Sequence, residues 1–174
     1  MSDIFDKLNV DLKNFKDEKQ LNKELYNKIC TEQSALTRKY FKENISSDFK
    51  KLSEIYKKSE TKRFKVNFFE KNNELTIFHF HMLSSSEIKV INGQVSLWLS
   101  SNYPSDDEEL EKLKKYEISK DNIIFSVSHH CVVGGFKLNT KFIPYEETYN
   151  LKEKEKAYEY FNDLFKSKIL IDVD

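Results

Sequence analysis

The chain has 174 residues, 39% of them hydrophobic, enough for one domain to bury a core unaided. Lys plus Arg and Asp plus Glu each total 29, and this neutral balance argues against nucleic acid as a partner. Two cysteines, Cys30 and Cys131, are too few for a disulfide framework and fit reduced thiols.

The chain begins Met-Ser-Asp-Ile-Phe-Asp, without the basic and apolar stretches of a secretory signal, and no apolar run approaches the ~20 residues that cross a bilayer. The expected location is therefore the cytoplasm, with no membrane partner. No glycine or proline occurs before Gly93, which predicts long, uninterrupted elements. Phe5, Leu8, Leu12 and Phe15 recur at steps of three and four and predict a short helix. Asp17 followed by Gln20 resembles a capping box that starts a second helix bearing Leu21, Leu25, Ile29, Leu36 and Tyr40. Phe41, Ile45, Phe49, Leu52 and Tyr56 continue that period with a drift, and Ser46-Ser47-Asp48 either bends the helix or restarts it.

From Arg63 the period becomes two. Strands are predicted at Phe64, Val66 and Phe68, from Leu75 to Met82, around Ile88 and Val90, and at Val95, Leu97 and Leu99, forming a four-strand antiparallel meander. Asn92-Gly93 reads as a two-residue hairpin turn that pairs Val90 with Val95 and Ile88 with Leu97. Ser105 with Glu108 caps a helix over residues 105–116, with acids in its first turn and lysines near its end. Ile123 to Val133 and Phe136 to Ile143 form a hairpin around Gly134-Gly135. Asn150 with Glu153 caps a last helix over 150–168. The predicted class is α+β in one domain, 1–174, with a helical region at 1–58. An antiparallel sheet of about six strands follows at 62–143, and the C-terminal helix packs on one of its faces.

All four histidines fall in two groups, His79-Phe80-His81 and His129-His130-Cys131. The Gly134-Gly135 turn pairs Cys131 with Leu138, His129 with Thr140 and Val127 with Phe142, which directs His129 and Cys131 to the apolar face and His130 to the polar one. For the first hairpin, a two-residue Asn72-Asn73 turn sends both histidines to the apolar face, whereas a three-residue loop sends His79 and His81 to the polar face. The three-residue loop is preferred, because it sets Phe64, Val66 and Phe68 against Phe78, Phe80 and Met82 or Thr76. A four-ligand zinc site from both groups is then geometrically difficult, and a three-histidine site of His79, His81 and His130 is what survives of the metal hypothesis. Strand histidines are more often hydrogen-bonded or surface residues than ligands, so neither metal nor cofactor is expected.

Cys131 beside His129 and His130 does not make an activated nucleophile, since neighbours on a strand point apart and next-neighbours stand ~6 to 7 Å apart. Ser84-Ser85-Ser86 reads as a polar turn. Trp98 falls opposite Glu87 on the outer face, with Phe69, Ile77 and Ile91 sharing that side, and it is a candidate anchor for a protein. The predicted partner surface is Trp98, Glu87, Lys89, His79, His81 and His130.

The order helix, strands, helix, two strands, helix is similar to that of bacterial type III secretion chaperones, and that resemblance implies a chaperone for a secreted protein. The additional strand, the long helical entry and the neutral balance depart from that pattern. Heavy use of Lys, Asn, Ile, Phe and Tyr over Ala and Gly suggests an AT-rich bacterial genome. The expected function is a non-enzymatic, cytoplasmic protein-binding protein, foremost an immunity protein that neutralises a bacterial toxin. The alternatives are the chaperone and a metal-dependent hydrolase built on His79, His81 and His130. A protein partner is expected, a toxin or secreted effector, with room for a homodimer.

Overall fold

The computed structural model describes residues 2–80, 83–93, 107–131 and 145–170. Helix α1 spans Ser2–Tyr40 without a break. The expected restart at Asp17 does not occur: no residue there stops the helix, and the Gln20 side chain instead donates to Glu24 one turn on, at 2.8 Å. A π turn, Phe41–Ile45, joins α1 to α2, Ser46–Lys57. It buries Phe41 and Ile45 and supplies the extra residue that absorbs the drift of the apolar stripe, so that Phe49 and Tyr56 stay aimed at the sheet.

Five strands follow, β1 Phe64–Phe69, β2 Glu74–His79, β3 Ser84–Asn92, β4 Ile123–Cys131 and β5 Tyr145–Asn150, all antiparallel and in sequential order. Helix α3, Asp107–Lys114, lies between β3 and β4 in the chain, and α4, Lys154–Leu170, closes the described part. The sheet thus has five described strands rather than six. No described helix is long and apolar enough to cross a membrane.

Three strand expectations are corrected. The first loop holds four residues, Glu70 to Asn73, so Phe64 pairs with His79, Val66 with Ile77 and Phe68 with Leu75. A short 3-10 turn and Asn73 in the left-handed conformation, φ 55° and ψ 39°, make this loop. Asparagine tolerates that region better than most residues, so the turn chemistry outweighs the phenylalanine pairing that favoured the other register.

Second, Ile88 is paired on one side with Leu75 and on the other with Val127, rather than with Leu97. Gly93 answers to a different need: a Cβ there would stand 2.9 Å from the Asn122 carbonyl oxygen. Third, β4 pairs with β5, setting Val127 against Glu147 and His129 against Tyr145, in place of Phe142 and Thr140. The strand at 95–99 and the Gly134-Gly135 turn with its strand at 136–143 lie outside the described residues.

One face of the sheet carries the core. Phe64, Val66, Leu75, Ile77, Ile88, Val90, Ile123, Phe125 and Val127 pack against Phe41, Ile45, Phe49 and Tyr56 from the first helices and Ala157, Phe161 and Phe165 from α4. Edge-to-face ring pairs join the helices to one another, Phe41 with Phe49 at 5.3 Å and Tyr56 with Phe161 at 5.6 Å, and to the sheet, Phe64 with Phe165 at 5.4 Å. Asp48 ties α2 to α4 by accepting from Lys154 and from Tyr158, both at 3.0 Å. The predicted cap of the last helix is present: Asn150 accepts from the Lys152 backbone and Glu153 accepts from the Asn150 backbone. A second, smaller cluster joins Tyr26, Ile29 and Cys30 of α1 to Leu113 of α3.

Candidate functional site

The strand register divides the histidines between the two faces. His79 is fully buried on the core face, contrary to its expected place on the polar side, because the four-residue loop fixes the opposite parity. His129 lies on the same face, as expected. The Ser86 hydroxyl sits between them, 3.4 Å from His79 Nε2 and 3.1 Å from His129 Nδ1, and the ring centroids are 6.3 Å apart. When Ser86 donates to His129 Nδ1 it accepts from His79 Nε2–H, so the hydroxyl couples the tautomers of the two rings. This triplet spans β2, β3 and β4 and ends the apolar face beside Phe64, whose ring centroid is 6.5 Å from that of His79.

The serines are therefore not a turn. Ser84, Ser85 and Ser86 open β3 and all three are buried. His130 faces the other way, which separates it from His79 by the thickness of the sheet; His81 lies outside the described residues. Among the described residues no group of three or more His, Cys, Asp or Glu comes together in a metal-holding arrangement.

The outer face is built from alternating positions on all five strands. On β3 it presents Ser85, Glu87 and Lys89, the middle one paired with Thr76 of β2 and Ser128 of β4. Ser85 donates to Glu87 at 3.3 Å, and His130 Nε2 stands 3.5 Å from the second Glu87 oxygen and 2.8 Å from Ser128. Lys89 approaches Glu74 at 3.7 Å, and Glu74 also accepts from Thr76. Farther across, Ser126 donates to Glu146 of β5. These groups hold one another in fixed positions on a rigid sheet: Ser85, Thr76, Ser126 and Ser128 are buried, whereas the side chains of Lys89, His130, Glu87 and Glu74 keep exposures of 42%, 41%, 28% and 15%.

Of the predicted surface, Glu87, Lys89 and His130 are brought together here, and Trp98 lies outside the described residues. Ile77, expected on this face, is buried on the core side, while Phe69 is exposed. Glu74, Glu146 and Ser126 are additional members that the sequence reading missed. Their signal was alternation in register with Glu87, which could be read only once the loop lengths were known.

A cleft of about 390 Å³ opens beside this face, lined by Arg38, Lys71, Lys89 and polar groups of α1 and β3. Its floor is a polar network: Asn92 donates to Ser34 at 3.0 Å, and the single Thr37 hydroxyl proton is shared between the Asn92 side-chain oxygen and the Gln33 carbonyl. Gln33 in turn clasps the Ser119 backbone through both its amide nitrogen and its oxygen, at 3.0 and 3.1 Å. This network pins α1 to the loop before β4.

Buried phenols surround the helices. Burial, then the Asp163 charge, pushes the Tyr56 phenol up to about 12. Burial, then Cys30, does the same to Tyr116, also to about 12. Burial, reinforced by Asp48, raises Tyr158 as well, and burial raises the Cys30 thiol against a hydrogen bond from Tyr26 that lowers it. A raised thiol is a poor nucleophile, so Cys30 acts as a small packing residue.

Comparison with protein-family models, with curated proteins and with solved structures finds no match for this chain.

Proposed function

We propose that this chain is a non-enzymatic, cytoplasmic immunity protein, which neutralises a bacterial toxin by docking the outer sheet face against it. What carries the reading is the Glu87 carboxylate, held on the central strand by Ser85 and His130, with Glu74 and Glu146 ordered by neighbours on either side. Carboxylates fixed on a rigid sheet lose little freedom on binding and suit a basic partner surface, giving a fast, specific encounter. Lys89 supplies the opposite sign at a defined place, and with the polar His130 ring it sets the register of the partner.

The test is capture of the partner from the native host with the whole chain and with Glu87→Lys, followed by expression of that partner alone in a host lacking this chain. The expected result is a partner that arrests growth, relieved by the native chain and not by Glu87→Lys at equal abundance. A partner that is secreted and harmless would turn the reading to the chaperone, and a Glu87→Lys chain that protects fully would remove the outer face from it.

A further inference from the structure

The first half of α1 presents a seam with nothing on it among the described residues. Ile4, Phe5, Leu8, Leu12 and Phe15 are each 51–65% exposed, although they occupy one stripe about 100° wide. Steps of three and four carry that stripe on through Asn22, Tyr26, Ile29 and Gln33, all of them buried against the body of the protein. One face of one helix is thus closed by the body from Asn22 onward and left open before it, over an overhang of roughly 20 residues and about 30 Å.

We infer that the overhang pairs with a second copy of itself, antiparallel, to make a homodimer. The seam is complementary to its own reverse: laid antiparallel, Phe5 meets Phe15 and Leu8 meets Leu12 of the second copy, so four of the five large apolar residues in the row find another and Ile4 lies at the flank. These five residues are exposed by about three-fifths, and covering that surface in both copies would remove on the order of 1,000 Å² from water, the size at which specific interfaces begin. Direction follows from the body. In a parallel pair, Asp11 would meet Lys16 and Glu18 would meet Lys23 of the second copy. From Asn22 onward, however, each seam is already filled, and the two bodies would compete for the same space along the axis. The antiparallel pair sets the bodies at opposite ends. Its single like-charge contact is Asp11 against Asp11 of the other copy beside the two-fold axis, which marks the arrangement for experiment. The seam is separate from the outer sheet face, so this inference stands independently of the toxin-binding reading.

The experiment is sedimentation equilibrium of the full chain over a wide concentration range, with variants at exposed positions that leave the core untouched. The expected particle has twice the 20.8 kDa chain mass. Leu8→Glu with Leu12→Glu should weaken association by about 100-fold or more while the circular dichroism melt of the body is unchanged. Asp11→Asn should tighten it. Leu8→Cys mixed with Leu12→Cys should form a mixed disulfide that neither variant forms alone. A native chain that stays at 20.8 kDa throughout would overturn the dimer. A disulfide between two Leu8→Cys chains, or weaker association of Asp11→Asn, would overturn its direction.

Discussion

The two halves of α1 have the same seam and opposite surroundings. From Asn22 to Tyr40 the seam closes on α3, on the loop before β4 and on the sheet, and Gln33 and Thr37 are wholly inside. From Ile4 to Phe15 a more apolar version of the same pattern faces outward. Hydrophobic periodicity therefore reports that a face needs covering and does not report what covers it. The covered half is stitched with side-chain to backbone hydrogen bonds from Gln33, which an open half has no body to receive. Most helical stability in proteins comes from packing of an amphipathic face, so the outer half gains most of its order from whatever it packs on.

The sharpest way to separate the halves is to cut the same kind of side chain from each. Ile29→Ala, in the buried cluster with Leu113, should cost about 2–4 kcal/mol in urea unfolding. Leu8→Ala, measured at a dilution where chains are single, should change stability by less than about 0.5 kcal/mol. Equal losses would mean that the outer half is covered within one chain. Gly93→Ala should come next, at about 1–3 kcal/mol, because its new Cβ would meet the Asn122 carbonyl that closes the loop beside the covered half. A neutral outcome would show that this loop yields freely.

The last effect is alkaline. Tyr56 and Tyr116 ionise near 12 in the folded chain, above the ordinary value of 10. Their neutral forms thus contribute stability that is fully present below pH 10 and is lost as pH rises from 10 through 12. Denaturation midpoints should fall across that window, and tyrosinate absorbance should show phenols that titrate late. The overhang has no tyrosine before Tyr26, so these losses should be unaltered by Leu8→Glu with Leu12→Glu.

Much of the architecture was legible because local signals agreed with the tertiary result. The alternation at Phe64 and Val66, the apolar run from Ile123 and the Asn150–Glu153 cap each specify what forms there. What escaped was parity. Side chains in a strand alternate with period two, so one residue more in the Glu70–Asn73 loop turned His79 from a surface candidate into a buried partner of Ser86. The serines misled for a related reason: Ser84 to Ser86 are turn-formers by composition, but flanking strands on both sides absorb their backbone groups and bury them. Asn92-Gly93 misled because glycine serves close approach as well as tight turns. Of the site, Glu87, Lys89 and His130 were named from the sequence, whereas Glu74, Ser126 and Glu146 required the strand pairing. The stripe from Phe5 to Phe15 was legible as a helix face, and its exposure was not.

The central claim is that one seam has two covers, its own body and a second copy. Native-state hydrogen exchange along α1 tests it most directly. Amides between Ile29 and Tyr40 should stay protected at every protein concentration, while those between Phe5 and Phe15 should be protected at high concentration and lose that protection on dilution. Protection of the outer half that does not change with concentration, or no protection at any concentration, would contradict the account.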